Sequence, residues 1–263
     1  MTIKHGSPLL SIITVCLNEP ELERTCKSIV NQTFQDFEWI VIDGGSNAKT
    51  LAVFEKYKDR MDYFVSEKDN GIYDAMNKGI ERSRGIWLNF MNAGDCFAYK
   101  YILDNASETL ASRSDVDVFY GEVFKTSQKG CFVTCTPEDT LNTHFFTNTI
   151  PHQAAFIQRS CFLKYGYYDT SLKISSDYKF FLLLFKNNAK FLRWNCIVSN
   201  MDGFGISSQD DVRKKERFLI IKEFYSAKEI ATFQPPQPHK KTVAAQLRER
   251  LLSSNTKLLR MQQ

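Results

Sequence analysis

The pattern of apolar and polar positions in the first hundred residues predicts strands and helices that follow one another. The segment Leu9–Leu17 is mostly apolar and rich in β-branched residues, which is typical of a strand buried on both faces. In Glu21–Gln32 apolar residues recur with the period of a helix. Further strands are predicted at Phe37–Ile42, Asp62–Ser66 and Ile86–Met91, and further helices at Leu51–Tyr57 and Tyr73–Arg84. This alternation indicates an α/β fold with a mostly parallel central sheet and helices on both faces.

The second half of the chain has a less regular pattern. Strands are predicted at Val116–Val123, Gly130–Cys135, Ala154–Gln158 and Phe191–Val198, and helices at Asp177–Asn187 and Arg213–Lys228. The first two of these strands would form a hairpin around Ser127–Gly130. Pro235–Pro238 predicts a linker, and Val243–Leu259 a final basic, amphipathic helix. We therefore expect one domain over residues 1–233, followed by a linker and a helical tail over residues 234–263.

The composition is that of a soluble globular protein. Of the 263 residues, 43% are apolar and 24% charged, so disorder of the whole chain is not expected. The longest apolar run, Phe180–Phe185, is far shorter than the stretch of about 20 residues that spans a membrane. No secretory signal is recognisable near Met1. The seven cysteines form no CxxC pair, which disfavours a zinc site and a disulfide framework and indicates a reducing, cytoplasmic location.

Charge is unevenly distributed along the chain. Residues 1–212 contain 22 Lys and Arg against 26 Asp and Glu, whereas residues 213–263 contain 12 against 4. The basic tail has two interpretations, a solvated helix packed on the domain or a helix lying on a membrane surface. Nucleic-acid binding is disfavoured, because no nucleic-acid module is present and aromatic residues do not alternate with the basic ones.

Four polar clusters follow the predicted strands of the first half. They are Thr14–Asn18, Asp43–Ser46, Glu67–Gly71 and Asn92–Asp95. Ligands bind beyond the carboxyl ends of strands in an open parallel sheet, so we expect these clusters to converge on one site. Each cluster also has a local alternative: Asp43 as a helix N-cap, and Asp69 and Asp95 as turn residues.

The type of polar residue restricts the chemistry of this site. Neither GxGxxG nor GxxxxGK[ST] follows the first strand, which disfavours nicotinamide dehydrogenases and P-loop NTPases. Carboxylates without a phosphate-binding glycine loop favour Mg²⁺ or Mn²⁺ that bridges the protein to a diphosphate.

Several segments resemble the family-2 glycosyltransferases, especially those of bacterial capsule, exopolysaccharide and O-antigen synthesis. The resemblance is dense over residues 9–97 and returns at two later motifs. The matching segments are Leu10–Asn18, Ser28–Phe34, Glu38–Ser46, Glu67–Ile80, Gly85–Asp95, His152–Phe156 and Ile174–Tyr178. The resemblance implies the GT-A nucleotide-diphospho-sugar transferase fold, with a nucleotide-sugar half at residues 9–97 and an acceptor half at residues 98–233.

The resemblance also implies roles for individual residues. Asp43 would recognise the nucleobase, and Asp95 matches the last aspartate of the family's metal motif. The expected nucleotide-sugar site consists of Thr14, Leu17, Asn18, Asp43, Ser46, Asp69, Gly71, Asn77, Asn92 and Asp95. The metal motif here is Asn92-Ala93-Gly94-Asp95, with one carboxylate where many relatives have two or three, so we expect a weak Mg²⁺ or Mn²⁺ site.

Two residues of the second half match the reaction centre of the family. Asp177 corresponds to the general base that takes the proton of the acceptor hydroxyl, although it could also only cap the helix that follows. His152 is a candidate for contact with the acceptor or the diphosphate, with a packing histidine as the alternative. The segment Gly203–Ser207 resembles a loop that closes over the donor.

The resemblance implies an inverting transfer from a nucleoside-diphosphate sugar, UDP-sugar first. The acceptor would be a hydroxyl of a surface polysaccharide or of a lipid-linked glycan at the inner face of the cytoplasmic membrane. Two alternatives stay open, a nucleotidyltransferase of the same fold and a non-catalytic nucleotide- or glycan-binding relative.

Overall fold

The central feature of the chain is a mixed sheet, seen in a computed structural model that describes residues 7–127, 130–134, 136–202 and 210–233. The strands of the described residues are β1 (Leu10–Cys16), β2 (Phe37–Asp43), β3 (Tyr63–Ser66), β4 (Trp87–Phe90), β5 (Cys96–Phe97), β6 (Val118–Ser127), β7 (Gly130–Val133), β8 (Ala155–Gln158) and β9 (Phe191–Asp202). They lie in the order β3-β2-β1-β4-β8-β6-β9-β5, and β7 pairs with β6.

Helices surround this sheet. They are α1 (Leu22–Val30), α2 (Ala48–Glu55), α3 (Ile72–Arg82), α4 (Ile102–Ser112), α5 (Leu141–Thr147), α6 (Arg159–Tyr165), α7 (Ser176–Lys186), α8 (Asp210–Phe224) and α9 (Ala227–Thr232). Short 3₁₀ turns lie at Lys58–Arg60 and His152–Ala154. None of the helices within the described ranges is long and apolar enough to cross a membrane.

The two halves of the sheet differ in strand direction. Strands β1 to β4 form parallel pairs, as the alternating pattern predicts. In the other half β8 pairs antiparallel with β4 and β6, and β6 runs parallel to β9. Strands β6 and β7 pair antiparallel with Ser127 opposite Gly130, which confirms the predicted hairpin.

The hydrophobic core covers both faces of the sheet, and β1 is therefore buried along its whole length. Successive side chains of a strand point to opposite faces. Ile13 and Val15 therefore pack with α3 and α7, whereas Ile12 and Cys16 pack with α1, α2 and α4. Each fully buried side chain of this size contributes about 1.5–3 kcal/mol, so both faces stabilise the sheet edge where the polar loops begin.

Several predicted bounds differ from the observed ones, for local reasons. Helix α2 begins three residues earlier than predicted because Asn47 caps it, its side chain accepting from the Thr50 amide. The predicted helix Arg213–Lys228 is interrupted, because Ser226 and Glu229 form a capping box that starts α9. The predicted strand Phe191–Val198 continues to Asp202.

Three predictions fall outside the described residues. They are the Gly203–Ser207 loop, the Pro235–Pro238 linker and the Val243–Leu259 helix. The six cysteines that the structure describes are free thiols, and of these only Cys131 is exposed.

Candidate active site

A cleft of about 840 Å³ lies at the carboxyl ends of β1 and β4 and receives residues from both halves of the chain. Of the residues expected from the sequence, the first half contributes Leu17, Asp69, Gly71, Asn92 and Asp95 to its lining. The second half contributes His152 and Asp177. The fold thus brings the two late motifs to the polar strand ends of the first half.

The loops after β1 and β2 are tied together beside Leu17, which is 58% exposed. The Asn18 amide donates to Ser46 Oγ at 2.8 Å, and Asn18 Oδ1 accepts from the Asn47 amide at 2.8 Å. Asn18 adopts a left-handed conformation with φ 54°, in which its short side chain reaches the neighbouring loop. Asn18 and Ser46 are therefore brought together as predicted, through hydrogen bonds that fix the loop.

Asp43 is fully buried at the end of β2. Its Oδ2 accepts from the amides of Gly45 and Ser46, at 3.2 and 2.8 Å, and from Ser66 Oγ at 2.6 Å. Its Oδ1 is buried and has no hydrogen-bond partner. Because Asn47 caps α2, the N-cap alternative for Asp43 is wrong. Asp43 is not among the residues that line the cleft, and its Oδ1 is left without a partner inside the protein.

Five expected site residues do not line the cleft: Thr14, Asn18, Asp43, Ser46 and Asn77. Two of them, Thr14 and Asn77, have structural roles elsewhere. Thr14 lies on the face of β1 that packs against Trp39, and its hydroxyl accepts the indole N–H at 3.0 Å. Asn77 lies in the middle of α3 and exchanges two hydrogen bonds with the backbone of Tyr168, at 2.9 and 3.0 Å. Thr14 is placed by the alternation of side chains along β1, and Asn77 by its position within α3. A resemblance at single positions does not show where a side chain points.

The turn from Asp69 to Gly71 approaches the β2 loop closely. Asp69 Oδ1 accepts from the Gly71 amide at 2.9 Å. A Cβ atom at Gly44 would lie only 2.4 Å from Asp69 Oδ2, so glycine at that position permits the approach. Gly71, with φ 120°, then begins α3.

The Asn92–Asp95 turn is held by α1. Gly94 has φ 96°, its amide donates to Thr25 Oγ1 at 3.0 Å, and Thr25 Oγ1 donates to the Asp95 carbonyl at 2.6 Å. The Asp95 carboxylate accepts from Gln153 Nε2 at 2.8 Å. Asp95 can thus belong to this turn through its backbone and still present its carboxylate at the cleft.

The oxygen atoms in this turn restrict the metal that could bind. Asp95 supplies one carboxylate, and Asn92 Oδ1 is buried without a hydrogen-bond partner. No group of three His, Cys, Asp or Glu side chains within the described ranges is arranged to hold a metal ion. These residues therefore fit a divalent cation that takes further ligands from a diphosphate and water, since Mg²⁺ commonly binds to one or two carboxylates in that way.

Asp177 lies in the first turn of α7, and both of its oxygens are hydrogen-bonded. Oδ2 lies 3.1 Å from His152 Nδ1, and Oδ1 accepts from the Tyr178 amide at 2.8 Å and the Tyr73 hydroxyl at 3.0 Å. Burial by itself raises the pKa of the carboxyl, but the hydrogen bonds from His152, Tyr178 and Tyr73 outweigh burial and lower the pKa. Asp177 is therefore ionised at neutral pH.

His152 connects Asp177 to the first half of the chain. The Asn92 side-chain amide lies 3.1 Å from Nε2, and Nδ1 lies 3.1 Å from Asp177 Oδ2. The next residue, Gln153, donates to Asp95. The His152 ring lines the cleft and bonds to two polar side chains there, so the structure places this candidate in the cleft while both of its ring nitrogens have partners.

Sequence reasoning missed four residues around Asp177. Tyr73 bonds to it, and Glu216 on α8 accepts from the backbone amides of residues 173, 174 and 175 at 2.6, 3.0 and 2.9 Å. Arg213 and Arg217, one helical turn apart on α8, line the cleft. Only the four-residue spacing of the two arginines is visible in the sequence, since the other contacts join distant segments.

Comparison with known proteins agrees with this geometry. Residues 11–133 match the family model for glycosyl transferase family 2. A PGL/p-HBAD biosynthesis glycosyltransferase of Mycobacterium bovis is 30% identical over 215 residues, which cover 80% of this chain and 83% of the relative.

Solved structures share the fold at low sequence identity. S. aureus TarS 1-349 in complex with UDP-GlcNAc has a TM-score of 0.66 at 18% identity, over 93% of this chain and 72% of that chain. A mannosyltransferase from Pyrobaculum calidifontis in complex with GDP-Man and Mn²⁺ has a TM-score of 0.64 at 17% identity, over 91% of this chain and 69% of that chain. Together with the curated relative, these matches confirm the GT-A fold, and the chain belongs to glycosyltransferase family 2.

Proposed function

We propose that this glycosyltransferase moves a sugar, with inversion, from a UDP-sugar to a hydroxyl of a surface polysaccharide or its lipid-linked precursor. The observation that supports the proposal most is that two adjacent residues, His152 and Gln153, connect the candidate base to the candidate metal ligand. His152 bonds to Asp177, the candidate base, and Gln153 bonds to Asp95, the candidate metal ligand. Base and metal ligand are thereby held at a fixed separation across one cleft.

The nucleoside would bind at the ends of β1 and β2. The unpartnered Oδ1 of Asp43 is an acceptor suited to the N3–H of uracil. Asn18 and Ser46 would fix this loop, and the exposed Leu17 would pack against the base. Asp69, Gly71 and Asn92 would lie near the ribose.

The diphosphate would lie at the Asn92–Asp95 turn. Asp95 and the free Oδ1 of Asn92 would hold Mg²⁺ or Mn²⁺ together with phosphate oxygens. Such an ion, when bound, neutralises charge on the leaving nucleoside diphosphate. The Mn²⁺ complex of the mannosyltransferase neighbour supports a divalent ion in this fold.

Asp177 would take the proton of the acceptor hydroxyl as that oxygen attacks the anomeric carbon. An ionised carboxylate has about four lone-pair positions. His152, Tyr178 and Tyr73 occupy three of them, so one remains for the acceptor. The bond between the anomeric carbon and the diphosphate breaks on the opposite side of the sugar, which gives inversion.

The domain limits and the tail complete the proposal. Residues 1–233 would form the catalytic domain, with a donor half at 9–97 and an acceptor half at 98–233. Residues 234–263 would make peripheral contact with the inner face of the cytoplasmic membrane, which the excess of basic residues after position 212 supports.

Thermal unfolding against UDP, GDP, dTDP and CDP, each with and without Mn²⁺, tests the donor site. A ligand at about 100 times its Kd stabilises a protein by about 2.7 kcal/mol. We expect the largest shift with UDP and a further increase with Mn²⁺. Asp95→Asn is the matched variant, and it should remove the Mn²⁺ increment while a nucleotide shift persists. Absence of a shift with every nucleotide would contradict the proposal and favour a non-catalytic glycan-binding role.

A further inference from the structure

The two walls of the cleft differ in charge. Among the described lining residues, the wall from the first half contains four carboxylates and no Lys or Arg: Glu19, Glu21, Asp69 and Asp95. The wall from the second half contains Lys125, Arg213 and Arg217, with Asp177 as its one carboxylate. The basic residues of the described lining therefore all come from the second half of the chain.

Arg217 lies directly beside the candidate base. Its guanidinium carbon is 5.0 Å from the centre of the Tyr178 ring, the residue after Asp177, and its Nη1 donates to the Thr147 carbonyl at 3.0 Å. Its Nε is buried without a hydrogen-bond partner. The described part of the chain places no carboxylate within 4.0 Å of this guanidinium, since the neighbouring Glu216 binds the amides of residues 173–175.

The charge of Arg217 is poorly solvated in this position. Burial lowers the pKa of the guanidinium, because the charged form loses water, and the nearby Asp177 compensates only in part. An oxyanion bound in the cleft would restore the lost interactions, since the planar guanidinium fits carboxylate and phosphate groups.

We propose that Arg217, with Arg213 one helical turn away on α8, binds an anionic group of the acceptor, close to the hydroxyl that receives the sugar. This inference rests on the proposed function, in which Asp177 faces the acceptor hydroxyl and the donor diphosphate lies at Asp95 on the opposite wall. Because Arg217 packs on Tyr178, an anion bound to it lies within reach of a hydroxyl bound to Asp177. The acceptor class is thus a glycan that contains phosphate or carboxylate groups.

The experiment measures binding of small acceptor analogues to the full chain saturated with UDP and Mn²⁺. Glucose 6-phosphate and glucuronate supply the two oxyanions, and glucose is the neutral control. Saturation-transfer NMR titrations give the affinities. We expect both anionic sugars to bind about tenfold or more tightly than glucose, the effect of a hydrogen bond to a charged group.

Substitutions on α8 then locate the binding site. Arg217→Gln should reduce the affinity for both anionic sugars to the level of glucose and leave the Kd of UDP within about twofold, the precision of such titrations. Arg217→Lys should retain part of the affinity because it keeps the charge. Lys222→Gln is the matched control, since it removes one positive charge from the same helix at an exposed position outside the cleft. If Arg217→Gln is unfolded by its melting curve, Arg213→Gln takes its place.

Three results would overturn the inference. Equal affinity for glucose and the anionic sugars would show that no anion site exists, and so would a lack of binding by all three. An equal loss of UDP and sugar-phosphate affinity in Arg217→Gln would assign the arginine to the donor diphosphate. Failure of the wild-type chain to bind UDP contradicts the proposed function instead, and the first titration reveals it.

Discussion

The loops after β1 and β2 and the segment around α7 both present polar groups at the cleft, but they are held in different ways. In the loops, the bonds join neighbours in the sheet: Asn18 to Ser46, and Asp43 to Ser46 and Ser66. Around α7 the bond from His152 to Asp177 spans 25 positions, but others join distant parts of the chain, 104 positions apart for Tyr73 and Asp177 and 70 for Thr147 and Arg217. Parallel strand register is enough to organise the loops, whereas the α7 site requires α3, α5 and α8 to be packed correctly.

Substitutions in the two regions should therefore have different effects. A change in the β1–β2 loops should alter ligand affinity while leaving the rest of the cleft intact. A change around α7 should affect catalysis or stability, because each polar group there depends on partners from other elements.

Asp177→Asn should have the largest effect. General-base catalysis contributes about 10²–10⁴-fold to a rate, so kcat for sugar transfer should fall by that factor while the Kd of UDP stays unchanged. Turnover of UDP-sugar and calorimetric titration measure the two quantities. Asp104→Asn is a matched control, since Asp104 lies in the first turn of α4 and is exposed. Turnover retained in Asp177→Asn would remove Asp177 from the base role.

The same variant tests the ionisation of Asp177. Its pKa is lower in the folded protein, so the carboxylate contributes its full stabilisation above the ordinary pKa of about 3.9 and loses it as the pH falls through the folded value. The difference in unfolding free energy between wild type and Asp177→Asn should therefore be constant near neutral pH and shrink below about pH 4. A difference that already shrinks at pH 6 would contradict the direction of the shift.

Asp43→Asn should have the next largest effect, confined to the loop region. The Asn carbonyl can replace Oδ2, but the amide N–H₂ then occupies the position of the unpartnered Oδ1 and faces the N3–H of uracil. Loss of a hydrogen bond to a charged group costs about 1.5–3 kcal/mol, so UDP should bind about 10- to 100-fold more weakly. CDP, whose N3 accepts, should lose less.

Calorimetric titration of both nucleotides measures this preference. Asp62→Asn is the control, because Asp62 also accepts a backbone amide, that of Trp39, but lies before β3 and not in the loop after β2. Equal losses for UDP and CDP would mean that Asp43 acts only on loop structure.

The same contrast explains which parts of the site the sequence predicts. Asp43, Asp69 and Asp95 follow strands whose register is readable from apolar periodicity, so their convergence on one edge is predictable. Thr14 and Asn77 were assigned to the site by resemblance, and their partners Trp39 and Tyr168 are fixed only by packing.

The second half was harder to predict. The motifs around His152 and Asp177 indicate a candidate reaction centre, but not the residues that hold it. Glu216 and Arg217 lie on a helix that begins three residues before its predicted start, and their contacts cross about 40 to 70 positions of sequence. Local periodicity contains no information about such pairs.

Glu216→Gln should destabilise the α7 region. One carboxylate accepts three backbone amides of the segment before α7, and the neutral amide cannot accept all of them equally. We expect the free energy of unfolding to fall by about 1–3 kcal/mol in urea titrations. Glu223→Gln on the same helix removes an exposed carboxylate paired with Lys179 and should cost less than about 1 kcal/mol. Equal losses in the two variants would show that Glu216 contributes no more than a surface ion pair.

Gly44→Ala should have the smallest effect, and it separates side-chain placement from backbone folding in the loop region. The added Cβ would overlap Asp69 Oδ2, the end of a side chain that can move, so the fold should persist while the carboxylate is displaced. If Asp69 contacts the ribose by one hydrogen bond, UDP affinity should fall by about 0.5–1.5 kcal/mol, or roughly two- to tenfold. Asp69→Ala should produce the same loss, and adding Gly44→Ala to it should cost nothing more. Additive losses in this double-mutant cycle would mean that Gly44 acts independently of Asp69, through the backbone. An Asp69→Ala variant with unchanged UDP affinity would show that Asp69 lies away from the nucleotide.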